Sequence, residues 1–163
     1  MHSRIFQISS KPINKDESIV ADDYDYDHWF LREIADYTDD IDERSQTDTL
    51  EWFNEFDGIT VDVNNRTIVV KSKADYFSDR YTSFKLMVDD LSRISFNEFI
   101  GLDKYKVETY IYRLNAAYQE KYGFYVEDGG EYGGLITFDE WVRYAAKENA
   151  TYYIGGIVDY HYL

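Results

Sequence analysis

The chain has 163 residues, 44 % of them hydrophobic and 18 % aromatic, with 32 acidic against 17 basic side chains (net −15) and no cysteine. The aromatic content excludes a disordered acidic tail, and the length allows one domain with a core of its own, or two small ones. Lack of cysteine excludes disulfides, thiolate nucleophiles and cysteine-based zinc sites, and fits a reducing cytosol.

In chain order, Arg4–Ile8 alternates as a short strand, closed by Pro12, the only proline. Residues 14–27 are polar and acidic, and Asp23-Tyr-Asp-Tyr-Asp27, if extended, puts its acids on one face and its tyrosines on the other. Phe30, Ile34 and Tyr37 recur at helical spacing and predict a helix over 29–37, followed by an acidic loop over 38–45. Ser45-Gln-Thr-Asp48 reads as a capping box opening a helix that ends near Gly58, with Thr49, Trp52, Phe53 and Phe56 on its buried face. Residues 59–63 and 66–71, joined by Asn64-Asn65, read as a β-hairpin.

Ser72-Lys-Ala-Asp75 opens a long helix with Phe77, Tyr81, Phe84, Val88 and Leu91 in helical register. Ser95-Phe-Asn-Glu98 caps a short helix that stops at Gly101, and Asp103–Tyr122 predicts another helix, stopped at Gly123. Residues 124–126 read as a strand and the glycines at 129, 130, 133 and 134 as a loop. Thr137-Phe-Asp-Glu140 is a fourth box, and residues 151–162 form a last strand with a bulge at Gly155-Gly156. The expected class is α+β: a small antiparallel sheet with the 59–71 hairpin at its centre, packed against several amphipathic helices. A single domain, 1–163, is expected, with a composition break near Gly58 between an acidic 1–57 and a near-neutral 58–163.

The charge is concentrated. Residues 15–57 hold sixteen carboxylates against Lys15, Arg32 and Arg44, a net of −13. A local field of one sign selects partners of the other. Three readings fit this stretch: a solvating face, a nucleic-acid mimic seated in a basic groove, or a cation site. The mimic reading has a physical basis. Duplex DNA carries roughly one charge per 1.7 Å of axis, alternate strand carboxylates recur at about 6.6 Å, and carboxylates pair bidentately with the arginines that grip phosphate or guanine. Tyr24, Tyr26, Trp29 and Phe30 would add stacking and burial.

Other chemistry is poorly supported. Residues 129–140 match a calcium loop at Gly134, Ile136 and Glu140, but Gly129 stands where the first Asp is needed. His2, His28 and His161 show no ligand spacing, and no nucleophile-elbow, phosphate-loop or dinucleotide pattern occurs. No catalytic residue, cofactor or metal ligand is assigned. The N-terminus has no apolar signal region and no apolar run approaches about 18 residues, so a soluble cytoplasmic protein is expected, repelled by anionic membranes and by nucleic acid itself.

Asp22-Asp-Tyr-Asp-Tyr-Asp-His-Trp29 and Asp39-Asp-Ile-Asp-Glu43, in an acidic α+β chain without cysteine, resemble the small anti-CRISPR and antirestriction inhibitors that phages and mobile elements use against bacterial nucleases. Length and charge are also similar to those of the ArdA antirestriction family, without a matching motif. The resemblance implies a non-enzymatic inhibitor that binds a basic partner, a nuclease or nuclease–guide RNA complex, and blocks DNA access. On an RNA-guided nuclease the target would be the arginine site that reads the short DNA motif, or the duplex channel. Asp22, Asp23, Asp25, Asp27, Asp36, Asp39, Asp40, Asp42 and Glu43 would be the phosphate surrogates, with Tyr24 and Tyr26 as packing partners. The rivals are an interaction module whose acids only solvate it, and a cation-binding protein.

Overall fold

The computed structural model describes residues 1–102 and 105–163, which fall into two units: 1–76 with 121–163, and 77–120. The composition break near Gly58 lies inside the first unit.

The strands of the first unit are β1 (His2–Ser9), β2 (Tyr37–Asp40), β3 (Ile59–Asp62), β4 (Thr67–Val70), β5 (Tyr125–Glu127), β6 (Leu135–Thr137) and β7 (Thr151–His161). Its first two α-helices are α1 (Trp29–Glu33) and α2 (Glu43–Phe53). The chain later adds α3 (Lys73–Ser92), α4 (Phe96–Phe99), α5 (Lys106–Tyr118) and α6 (Phe138–Glu140), the last running into a π-helical turn over Trp141–Ala145.

The α+β class holds, but the sheet is neither small nor purely antiparallel. Seven strands run β3-β4-β7-β1-β5-β6, with β2 also on β7, and β1 pairs parallel with β5. The expected central position of the 59–71 segment is corrected: β3 and β4 pair antiparallel, Ile59 opposite Val70, but at one edge. The centre is β7, whose eleven residues are long enough to hold β1 on one side and β4 then β2 on the other.

Alternation along β1 feeds two cores. Ile5, Val158, Tyr160 and Tyr125 meet Tyr24, Phe30 and Ala35 on one face. Phe6 points the other way, with Phe53 at 4.6 Å and Phe124 at 5.4 Å between ring centroids. Each such buried ring contributes about 1.5–3 kcal/mol.

The bulge expected in the last strand is present. Phe6 faces Ile157 and Ile8 faces Ile154, so Gly155 and Gly156 together oppose Gln7. Here glycine is required by space: a Cβ on Gly156 would lie 2.3 Å from the Ile19 carbonyl oxygen. Gln7 exploits the gap, its Oε1 accepting from Ile19 N (3.1 Å) and Gly156 N (3.0 Å) while Nε2 donates to Glu17 O (2.8 Å). The 14–20 segment is thereby laid across the bulge.

Three of the expected N-caps are in place, those at Ser95 and Thr137 as full reciprocal boxes, while at Ser72 only the forward bond forms because its own amide donates to Gly58 O. Ser72 Oγ accepts from Asp75 N, Ser95 Oγ from Glu98 N and Thr137 Oγ1 from Glu140 N. The fourth is not: α2 starts two residues earlier than Ser45, capped by Asp42, because a carboxylate at the N-cap is also stabilised by the helix dipole. Its buried face is Thr49, Leu50 and Phe53, with Trp52 left exposed. The expected 29–37 helix ends at Glu33, and Tyr37 begins β2, where the ladder on β7 outweighs helical spacing.

In the second unit, the start expected for the 103–122 helix lies outside the described residues; the described helix is Lys106–Tyr118. Arg80 Nη2 donates to Ala116 O (3.4 Å), Phe84 and Tyr118 lie 6.3 Å apart, and a Lys106–Glu98 ion pair ties α5 to α4.

Candidate functional site

All sixteen carboxylate residues of 15–57 are solvent-exposed. Among the described residues the buried acids, Asp128, Asp139 and Asp159, lie elsewhere in the chain.

Two separate acidic runs are joined by tertiary contacts. Asp22 and Asp23 lie in a 3-10 turn, Ala21–Asp23. Ala21 N donates to Asp40 Oδ1 (2.8 Å) and Thr38 Oγ1 donates to Ala21 O (3.1 Å), so that turn is pinned to β2, which carries Asp39 and Asp40. Asp42 follows at the N-cap of α2 with Glu43 in its first turn, continuing the acidic course into a helix start.

Four of the nine candidate acids, Asp23, Asp25, Asp40 and Asp42, also organise backbone. Asp23 Oδ2 accepts from Val20 N (2.8 Å), Asp25 Oδ1 from Asp27 N (3.0 Å) and His28 N (3.1 Å), and Asp42 Oδ1 from Ser45 N (2.7 Å). The Ser45 amide, with Arg44 nearby, holds the Asp42 carboxyl below the usual range, so it stays charged. Arg32 reaches Asp27 at 3.2 Å and His161 Nδ1 lies 2.9 Å from Asp36. None of these bonds uses all the lone pairs of a carboxylate.

The tyrosine assignments separate. Tyr24 is a correction: it is 4 % exposed, packed with Phe30 in the core, and cannot meet a partner. Residues 23–27 are not extended but a 3-10 turn followed by bends, so acids and tyrosines do not sort onto two faces. Phe30 is likewise fully buried. Tyr26, 87 % exposed, remains on the surface beside the acids, with Trp29 and Tyr37 partly exposed. Tyr37 was not foreseen, because helical spacing placed it on the wrong element.

Two further constellations were not legible in the sequence. His2 and His161, far apart in the chain, sit opposite each other on β1 and β7 with rings 5.0 Å apart. His2 Nδ1 lies 2.7 Å from Asp159 Oδ2, Asp159 is ion-paired to Arg4, and Tyr37 stacks on His161. A cleft of about 200 Å³ is lined by Ser10, Asp128, Glu131, Tyr132, Tyr144 and Tyr152 among others. Asp128 serves its loop, accepting from the amides of Gly130, Tyr132 and Gly134, and Ser10 Oγ donates to Glu131. Glu140 turns back on Thr137 as a cap partner rather than toward the glycine loop. Among the described residues no group of three or more His, Asp or Glu is placed to hold a metal ion.

No helix is long and apolar enough to cross a membrane, among the described residues. Comparison of the chain with protein-family models, with curated proteins and with solved structures finds no match.

Proposed function

We propose that this protein is a DNA-mimic inhibitor of a nucleic-acid-handling protein, of the anti-CRISPR or antirestriction kind, with no catalysis of its own. The observation that carries the reading is the union of two acidic runs, 22–27 and 36–43, through the Ala21–Asp40 and Thr38–Ala21 bonds, with every one of their carboxylates exposed. Such a surface offers fixed oxygens to arginine and lysine side chains in place of phosphates. Tyr26 beside it supplies a ring for packing. The partner is a basic protein surface in the cytoplasm, a nuclease or nuclease–guide RNA complex.

One observation favours the solvating rival for part of this surface. Among the described residues β2 pairs only with β7, which leaves its outer edge without a strand, and acids such as Asp39 and Asp40 keep such an edge from recruiting another strand.

The deciding experiment pairs a DNA-cleavage assay, on a panel of RNA-guided and restriction nucleases, with a melting curve. Replacing Asp22, Asp23, Asp25 and Asp27 with Asn keeps an acceptor oxygen at each backbone contact and removes four charges. Inhibition and partner affinity should fall at least tenfold while melting changes little, since each well-formed charge-assisted pair contributes roughly 1.5–3 kcal/mol. Wild-type affinity should also fall at least tenfold from low to high salt. Unchanged inhibition by the folded variant would remove this segment from the interface, and a flat salt response would point to apolar contact.

A further inference from the structure

The largest anomaly outside the acidic face is the second unit. No residue of α3, α4 or α5 is buried. Phe96, Phe99, Ile100, Leu102, Tyr105 and Tyr112 are 52–75 % exposed. The Lys106–Glu98 ion pair holds the first turn of α5 against α4, so these residues belong to one tied corner rather than to a loose end. Exposed apolar residues also recur seven apart, Tyr81 with Val88 on α3 and Ile111 with Tyr118 on α5. Seven residues are two helical turns, so each pair shares one helix face, the repeat that helices use to pack against other helices.

We infer that this unit is a self-association surface, and that a second copy of the same chain covers it. Area and charge both support that occupant. Taking about 200 Å² for a whole aromatic ring, the six exposed rings of the unit, 47–75 % exposed, present about 800 Å². That is of the order that one partner contributes to a stable interface of standard size. Charge then selects the partner. Residues 77–120 carry seven acids against six bases, a net of −1, while the remaining residues carry 25 against 11, a net of −14. Two copies meeting through the first unit would repel; meeting through the second they bring together near-neutral, apolar helices. A two-fold pairing that sets the exposed faces of α3 and α5 against those of a second copy lets these helices gain a core. The inference stands without the DNA-mimic reading.

The test is sedimentation of the full chain from about 1 μM to about 1 mM at physiological salt. Mass should rise from the 19.4 kDa chain to twice that value. The Phe99→Gln/Tyr112→Gln variant removes two exposed rings and retains a good helix former; its association should weaken at least tenfold with unchanged far-UV circular dichroism. Hydrogen exchange of the unmodified chain gives a second readout: amide protection in 77–118 should rise with concentration, and protection in 15–57 should not. A monomer at every concentration overturns the inference, as does association that the variant leaves intact or protection gained only in the acidic segment.

Discussion

The Ala21 amide donates to Asp40 Oδ1 over 2.8 Å, across nineteen positions of chain. One carboxylate oxygen thus holds a 3-10 turn on a β-strand and, with it, the relation between two acidic runs. Asp40 therefore has a positional role as well as a charge.

Asp40→Ala should cost about 0.5–1.5 kcal/mol, the net contribution of one such hydrogen bond. Asp40→Asn, which keeps the acceptor, should cost less. Urea unfolding separates the two; equal losses would show that charge and not the bond is what matters at this position.

Tyr24 presents the opposite case. Its ring fills the core, but its hydroxyl is buried without a hydrogen-bond partner, and burial raises its pKa. A buried unsatisfied hydroxyl opposes folding, so Tyr24→Phe should be neutral or stabilise by about 1 kcal/mol. Partner binding should be unaltered, whereas Tyr26→Ala should weaken binding and leave stability alone. A binding loss in the folded Tyr24→Phe protein would contradict the core assignment.

Gly156→Ala should be among the most damaging small substitutions. Its Cβ meets backbone, the Ile19 carbonyl, which cannot rotate away. A cost of about 1–3 kcal/mol is expected from such overpacking. Gly155→Ala meets the Gln7 side chain instead, which can move, but only by giving up its bonds to Ile19 and Gly156. Thermal unfolding of the two variants should rank Gly156→Ala as the worse; the reverse order would mean the 14–20 segment yields more easily than Gln7.

Glu127 sets one pH response. Burial raises its pKa, against a bond from the Gly129 amide and with help from the Asp128 and Asp23 charges. A carboxyl raised in the fold contributes stability in full below its unfolded pKa and loses it as pH rises through the folded value. At pH 7 the ionised group therefore opposes folding. Glu127→Gln, neutral throughout and still able to accept from Gly129, should melt higher than the unmodified chain at pH 7. The difference should close as pH falls below about 4. A difference that does not vary with pH would exclude ionisation as its cause.

Local chemistry was legible in the residues themselves. The caps at Ser72, Ser95 and Thr137 are satisfied within three positions, so no distant contact can overrule them. The paired glycines at 155 and 156 marked the bulge, and the density of carboxylates marked a surface, since that many uncompensated charges cannot be buried together. Tertiary structure decided the rest. Period-two alternation in 23–27 would put Tyr24 and Tyr26 on one face, but the segment folds as a turn, which carries Tyr24 inside and leaves Tyr26 outside. Helical spacing reached Tyr37, but the unpaired edge of β7 claimed 37–40 as a strand. Parallel pairing of β1 with β5, and the meeting of His2 with His161, join residues more than a hundred positions apart. Short-range hydrogen bonds and charge density are properties of neighbouring residues, whereas face, edge and partner strand depend on what the rest of the chain leaves uncovered.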